Sequence, residues 1–401
     1  MSESKSPHPA FSRRGFVAAA ALSSTRVLGA NDRVRLGVIG SGGRGRHLIR
    51  MAQRAGGCEF VALSDAWARR MDEAQAQVTK GGGGDCSRHQ DYRSLLDRKD
   101  IDAVIVAATD HQHSAMTVAA VQAGKDVFVE KPMVSYPKEG IAVVKAVRAS
   151  GRVVQVGVQQ RSISHFIEAK QRFFDSGEIG EVHMVRTFWN SNTGYLAKVP
   201  PGMETKPADL DWDAVLGWLP KRPWTPWMYF NRFASWEFSS GGQTGGLFVH
   251  LVDVVMWYLG LTRPDTCVAA GGIYQYKDER DTADNINMIV TYPKEVNVTF
   301  EATISDLNPR ESVDIAFLGT KGRLHIFRSG YRYLPASGGE PIIVKGGEEF
   351  AHMGNFLECV RTRKTPNANV VDGHYGSMAC YMGNVAYKEK RLVKWDSKWD
   401  V

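Results

Sequence analysis

Three glycines (Gly40, Gly42, Gly45), an acid at Asp65, a Glu130-Lys131 pair and a His250/Asp253 pair are the residues of this 401-residue chain whose types and spacing suit chemistry. In Gly40-Ser41-Gly42-Gly43-Arg44-Gly45 the first glycine permits a tight turn. The second lets backbone approach a diphosphate, and the third lets a helix pack closely on a strand. A helix that starts there turns unpaired N–H groups and a partial positive charge toward phosphates. Asp65, twenty positions beyond Gly45, can accept hydrogen bonds from adenosine ribose hydroxyls, and its charge disfavours a 2′-phosphate. The pattern is that of a dinucleotide site favouring NAD; Arg69 and Arg70 leave NADP open. Ser41, Gly43 and Arg44 belong to the same turn and count as cofactor-binding with it.

Glu130-Lys131-Pro132 follows the apolar run Val127-Phe128-Val129. A charged pair at the C-terminal end of a parallel strand suits a site, the alternative being a surface pair before a turn. His250 and Asp253 are three apart, hence on one helical face, amid Leu, Val and Trp and behind the glycine-rich entry 241–246. A lone histidine on an apolar helix is more often a satisfied core residue; the flexible entry and the paired acid raise the catalytic reading. His111 and His113 lack a third ligand of metal-binding spacing, so a cofactor-side loop or helix cap is expected there, and no metal. The five cysteines (58, 86, 267, 359, 380) show no CxxC spacing and indicate neither a zinc site nor a disulfide framework.

The elements that would position these groups alternate. Residues 34–39 and 60–63 read as strands flanking a helix, 66–80 as a charged helix, and 81–84 as a glycine connector. Residues 101–108 form an apolar run suited to a buried parallel strand, ending in Thr109 to His113 where α/β folds place ligands. A helix over 114–124, a strand at 126–129 and another at 153–158 complete a Rossmann pattern. From residue 182 the pattern changes to alternating runs at 182–188, 267–273, 286–292 and 296–302, which suit half-buried antiparallel strands. The expected fold is an α/β Rossmann domain with a parallel sheet, followed by an α+β domain with an open, mostly antiparallel sheet. Its parts are 1–30 as an export signal, 31–158 as the dinucleotide domain, and 159–401 as a substrate and oligomerisation domain ending in a helical segment. The segment 209–238 carries five tryptophans with Tyr229, Arg232 and Glu237. Such a mixture suits sugar recognition by stacking and hydrogen bonding, or simple packing of a loop on the sheet.

The net charge is +7, of which residues 1–30 carry +3 through Lys5, Arg13, Arg14 and Arg26 against Glu3. No basic run remains that would track a phosphate backbone, which argues against nucleic acid. Ser12-Arg13-Arg14-Gly15-Phe16 precedes an apolar stretch over 16–22, too short and alanine-rich to span a bilayer. It resembles a twin-arginine export signal, and Arg26 beyond the stretch suits that route. A periplasmic or otherwise exported protein, unanchored once mature, is expected. Free nicotinamide nucleotide is scarce there, so the cofactor should stay bound and be recycled within the catalytic cycle.

Taken in order, the glycine turn, Ser64-Asp65, Thr109 to His113, Glu130-Lys131-Pro132, Gln155-Val156-Gly157-Val158-Gln159-Gln160-Arg161, the tryptophan-rich stretch, Gly241-Gly242 to Asp253 and Gly383-Asn384-Val385-Ala386-Tyr387 resemble the Gfo/Idh/MocA oxidoreductases. The resemblance runs from about Val34 to the C-terminus. It implies that His250 is the catalytic histidine and Lys131 the active-site lysine. Thr109, His113, Glu130, Lys131 and Gln159 would join the glycine turn and Asp65 at the cofactor, and Arg161, Glu237 and Asp253 would meet the substrate. Many relatives carry an aspartate four residues before the histidine; here that position is Gly246. Asp253 or Glu237 would have to compensate.

The expected function is an NAD(P)-dependent oxidoreductase acting on CH–OH groups of a sugar, polyol or sugar derivative, as a homo-oligomer by resemblance. A redox-neutral NAD-dependent glycosidase is the alternative, and a non-catalytic dinucleotide- or sugar-binding module a second one.

Overall fold

Val34–Ile39 (β1) is buried at every position but Arg35, as a strand covered on both faces must be. A computed structural model describes residues 33–306 and 313–401. The expected signal at 1–30 lies outside the described residues. After β1 come Gly43–Ala55 (α1), Cys58–Ser64 (β2), Ala68–Lys80 (α2), Ser87–His89 (β3), Ala103–Val106 (β4), His113–Gln122 (α3), Asp126–Val129 (β5), Pro137–Ser150 (α4) and Val154–Val156 (β6). The six strands pair in parallel in the order β3-β2-β1-β4-β5-β6. The order reverses between β1 and β4, and in open α/β sheets ligands bind outside the strand ends at such a switch point. Gly40 follows β1, Asp65 follows β2, Thr109 lies beyond β4, Glu130 follows β5 and Gln159 lies beyond β6. Residues spread over 120 positions of sequence therefore line one edge of one sheet.

The second sheet holds Val182–Asn190 (β7), Thr266–Gly272 (β8), Asn285–Tyr292 (β9), Val296–Thr303 (β10), Val313–Gly319 (β11), Gly322–Phe327 (β12), Gly330–Pro335 (β13), Ile342–Lys345 (β14) and Val393–Lys394 (β15). Its order is β14-β13-β12-β11-β7-β10-β9-β8-β15, parallel only between β7 and β10. The alternation seen in the sequence has its cause here. Ile286, Met288, Val290 and Tyr292 of β9 face inward, onto Val249–Leu259 (α5) and its neighbours, while Asn287 and Ile289 face out. Helix α5 is apolar around nearly its whole circumference and buried at nine of its eleven positions, so His250 sits in a core, not on a surface.

The last helices cross back to the first sheet. Ala351–Thr362 (α6) sends Met353, Phe356, Leu357 and Val360 into the core formed by Val34, Leu36 and Leu48. Val370–Glu389 (α7) adds Val370 and Met378 to the core beneath Val127 and Val129 on β5. Arg363 pairs with the buried Asp126 at 2.5 Å, and Gln155 Nε2 donates to the His352 carbonyl at 2.7 Å. A division of the chain at 158 thus separates the two sheets, but the Rossmann core is completed by residues two hundred positions later. Among the described residues no helix is long and apolar enough to cross a membrane.

Candidate active site

The glycine turn has the shape its chemistry needs. Gly40 has φ +90°, and a Cβ there would lie 2.6 Å from the Ala107 and Ala108 backbone. A Cβ on Gly45 would come within 2.1 Å of the Gly40 carbonyl oxygen, so turn and helix close on each other only through glycine. Beside Gly42 and Gly43 no atom lies within 4 Å of such a Cβ, leaving the outer side of the turn open. No side chain caps the N-terminus of α1, so its first N–H groups face that opening unpaired. A diphosphate fits this cradle both sterically and electrically. Asp65 Oδ2 accepts the Ser41 N–H and Oδ1 the Trp67 N–H, each at 2.9 Å. A carboxylate has about four acceptor sites, so capacity remains for ribose hydroxyls. Burial raises the Asp65 pKa, opposed by those two N–H bonds and by the Arg232 and Arg70 charges.

Beyond the end of β5 and at the start of α5 stand Lys131 and His250. Lys131 Nζ donates to the Gly246 carbonyl at 2.6 Å. The adjoining Glu130 is buried and accepts from Arg44 Nε at 2.7 Å. Burial pulls the Lys131 pKa down against the raising charges of Asp110 and Glu130, and Arg44 and Arg328 pull the same way as burial. His250 is 4% exposed, with the Trp189 ring nearly parallel at 6.0 Å. Its Nδ1 is buried without a partner among the described residues. Burial, then the Lys131, Arg328 and Arg44 charges, hold its pKa well below the ordinary histidine value. The imidazole is therefore neutral at physiological pH, which is the form a general base requires. Removing the neighbouring cation should favour imidazolium. In Lys131→Met the His250 titration, followed by NMR of the ring, should move to higher pH; a titration left in place would separate the two groups.

The missing aspartate also has a structural account. A Cβ on Gly246 would meet the Phe233 ring at 2.5 Å, and Phe233 stacks on Tyr195 at 4.4 Å. An aromatic pair thus occupies the space of a side chain at 246. The wide π-helical turn Thr244–Phe248 presents the Gly246 carbonyl to Lys131 in place of a carboxylate. Neither proposed substitute reaches the histidine. Asp253 receives Arg161 Nε at 3.0 and 2.9 Å, and Arg161 also pairs with Asp372 at 3.1 Å. Burial lifts the Asp253 pKa to about 6 against the Arg161 charge. Breaking such a buried pair costs about 3–5 kcal/mol, so these residues anchor α5. Glu237 pairs with Arg222 at 2.6 Å in a half-exposed position. Arg161, Asp253 and Glu237, the residues expected to meet the substrate, are thus all engaged in ion pairs.

The remaining expected residues sort by what their polar atoms touch. His113 lies 2.8 Å from the Pro132 carbonyl and 3.1 Å from the Ala108 carbonyl, so its ring braces the loops that carry Lys131 and Thr109. His111 meets the Leu216 carbonyl at 3.1 Å. Gln159 donates to Glu349 at 2.8 Å, and its Oε1 is a buried acceptor with no partner among the described residues. Thr109 is buried at the mouth of β4. No group of three His, Cys, Asp or Glu side chains among the described residues is placed to hold a metal ion, and all five cysteines are free.

Sequence reasoning missed Trp67, Asp209, Tyr195 and Trp189. Trp67 Nε1 donates to Asp209 Oδ1 at 3.0 Å, and the Asp211 N–H to the Ala66 carbonyl at 2.9 Å. Tyr229 meets the Trp67 ring edge-on at 5.4 Å. Trp212 and Trp224 belong to the same small core, with Leu210, Leu216 and Phe238, so these tryptophans pack the segment. Its docking point is the end of β2 beside Asp65. Since Tyr229 packs on Trp67 and Phe233 lies against Gly246, the run 229–233 links the end of β2 to the residue whose carbonyl Lys131 bonds.

Residues 34–158 match the model of an oxidoreductase family with an NAD-binding Rossmann fold, and residues 220–325 match the GFO/IDH/MocA C-terminal domain. The two matches cover more than half of the chain. The chain belongs to the Gfo/Idh/MocA family. Among curated family members it is 34% identical over 206 residues to inositol 2-dehydrogenase of Salmonella typhimurium, covering 50% of this chain and 58% of that protein. It is 36% identical over 155 residues to the inositol 2-dehydrogenase/D-chiro-inositol 3-dehydrogenase of Halalkalibacterium halodurans, 38% and 43% of the two chains. The chain thus spans under two thirds of the length of the curated relatives it matches. Among solved structures, levoglucosan dehydrogenase in complex with NADH and levoglucosan superposes with a TM-score of 0.71 at 17% identity, covering 90% of this chain and 99% of that one. Aldose–aldose oxidoreductase from Caulobacter crescentus gives 0.71 at 19%, over 90% and 100%. These likenesses bear on the fold: a Gfo/Idh/MocA Rossmann domain joined to a mixed, mostly antiparallel sheet.

Proposed function

We propose that this protein is an NAD-dependent oxidoreductase acting on a CH–OH group of a sugar or polyol. The observation that carries the reading is that Lys131, at the edge of a sheet whose glycine turn suits a dinucleotide, bonds the carbonyl of Gly246 four residues before the buried His250. When bound, the nicotinamide supplies a two-electron acceptor or donor. The chain supplies the rest. His250 removes the hydroxyl proton, and the Lys131 ammonium, held by the Gly246 carbonyl, stabilises the alkoxide that develops. Trp189 beside His250 and the Tyr195–Phe233 pair beside Gly246 supply aromatic surroundings of the kind sugar sites use. The inositol dehydrogenases among the relatives support a cyclic polyol or pyranose as substrate.

The same reading includes export and cofactor retention. Arg13-Arg14 would direct a folded, loaded protein out of the cytoplasm, and a bound cofactor would there be reoxidised by a second carbonyl substrate. Support for retention comes from the Trp67–Asp209 contact, which ties the segment 209–238 to the chain two residues beyond Asp65. Asp209→Ala should speed nucleotide release roughly tenfold, a loss on the scale of one charge-assisted hydrogen bond. Stopped-flow displacement checks it; an unchanged rate would detach the segment from retention. The wider test is to purify the mature protein without added nucleotide, denature it and identify what is released. Near-stoichiometric NAD(H) is expected. A protein that is empty and binds neither NAD nor NADP would defeat the reading.

A further inference from the structure

Beside Asp65, α2 carries a carboxylate that the dinucleotide reading does not use. Glu73 accepts from Arg70 Nη1 at 2.9 Å and from Arg69 Nε at 3.2 Å, and it also binds Arg46 from the first turn of α1. The guanidinium groups of Arg70 and Arg69 lie 4.9 and 5.7 Å from the centre of the Trp67 ring. Trp67 in turn gives its N–H to Asp65. Three arginines from the helices before and after β2 therefore gather on one carboxylate, and one of them, Arg70, acts on the charge of Asp65. Burial works to raise the Glu73 pKa, yet Arg70, Arg46 and Arg69 outweigh it and hold the carboxyl below its ordinary value.

Arginine forks at this position have an obvious ligand. A 2′-phosphate is carried on the ribose that Asp65 is placed to contact, and guanidinium groups match phosphate oxygens in paired hydrogen bonds. In this chain each fork already gives one nitrogen to Glu73. Arg69 and Arg70 reach Glu73 within their own helix, Arg70 also bonds Tyr229, and Arg46 crosses from α1 to the same carboxylate. A carboxylate serving only to stabilise its own helix would need no partner from outside it.

We propose that Glu73 is a specificity residue that excludes NADP by occupying the arginine cluster a 2′-phosphate would need, acting beside the charge of Asp65. The inference rests on the dinucleotide-binding reading. It makes the choice of NAD a matter of two carboxylates, one facing the ribose and one neutralising the surrounding cations.

The test uses the full chain stripped of nucleotide, with NAD+ and NADP+ dissociation constants measured by calorimetry for the native protein, Glu73→Gln and Glu73→Gln with Arg46→Ala. Glu73→Gln keeps the side-chain shape and removes its charge. It should tighten NADP+ by about tenfold or more, as freed guanidinium–phosphate bonds would, and leave NAD+ within about twofold. Adding Arg46→Ala should return most of that gain. A ratio of the two constants unchanged by Glu73→Gln, or equal weakening of both nucleotides, would overturn the proposal while leaving NAD binding intact. A native protein that binds neither nucleotide would overturn the dinucleotide reading, and this proposal with it.

Discussion

Lys131→Met should lower kcat roughly a hundred- to a thousandfold on any accepted sugar or polyol, the range found when one preorganised donor to a developing oxyanion is lost. NAD affinity should move little, because the lysine's ammonium bonds the Gly246 carbonyl and no atom of the glycine turn. The loss should appear in kcat more than in KM, since the contact strengthens as the hydroxyl becomes an alkoxide. A variant that turns over at the native rate would remove Lys131 from the chemistry. Equal loss of NAD binding would make the residue a cofactor anchor instead.

The second large effect concerns the glycine turn, where two similar substitutions should behave differently. In Gly45→Ala the new methyl would lie 2.1 Å from the Gly40 carbonyl oxygen, a backbone atom that cannot swing aside. Either the turn or the first turn of α1 must move, and both Tm and NAD affinity should fall, the latter by about a hundredfold or more as the close approach is lost. Gly42→Ala adds a methyl that meets no protein atom within 4 Å. Its Tm should stay near the native value while NAD affinity drops, because the methyl stands where the diphosphate would approach. Calorimetric unfolding and equilibrium binding on the two variants give the comparison. If Gly42→Ala bound NAD normally, the open side of the turn would not be the diphosphate cradle.

Much of this site was legible before any coordinates, and the reason is local. The jobs of Gly40, Gly42, Gly45 and Asp65 depend on residues within one βαβ unit, so spacing alone encodes them. The strand periods in the second sheet are equally local, and the expected runs differ from the observed strands only at their ends. What stayed hidden depends on contacts distant in sequence. Nothing in the spacing of Arg161 and Asp253 says that they meet 92 positions apart in a buried ion pair. Phe233 filling the space beside Gly246 is invisible for the same reason, so a glycine that reads as a lost catalytic acid becomes, in three dimensions, a backbone acceptor for Lys131. Tryptophan content pointed to segment 209–238 without revealing that Trp67 and Asp209 fix it on the adenosine end. The crossing back of α6 and α7 was likewise beyond any pattern in the chain, because an apolar helix face does not name the sheet it covers.

The most direct test of the central claim is to titrate the NAD-loaded protein with a panel of inositols, aldoses and anhydrosugars under single-turnover conditions. Absorbance of reduced nicotinamide is the readout, with His250→Asn and Lys131→Met measured alongside. The account predicts that at least one polyol or sugar reduces the bound cofactor at close to one equivalent, and that both variants slow that step without releasing the nucleotide. Firm NAD binding with no reduction by any member of the panel, or reduction at the native rate in both variants, would contradict it.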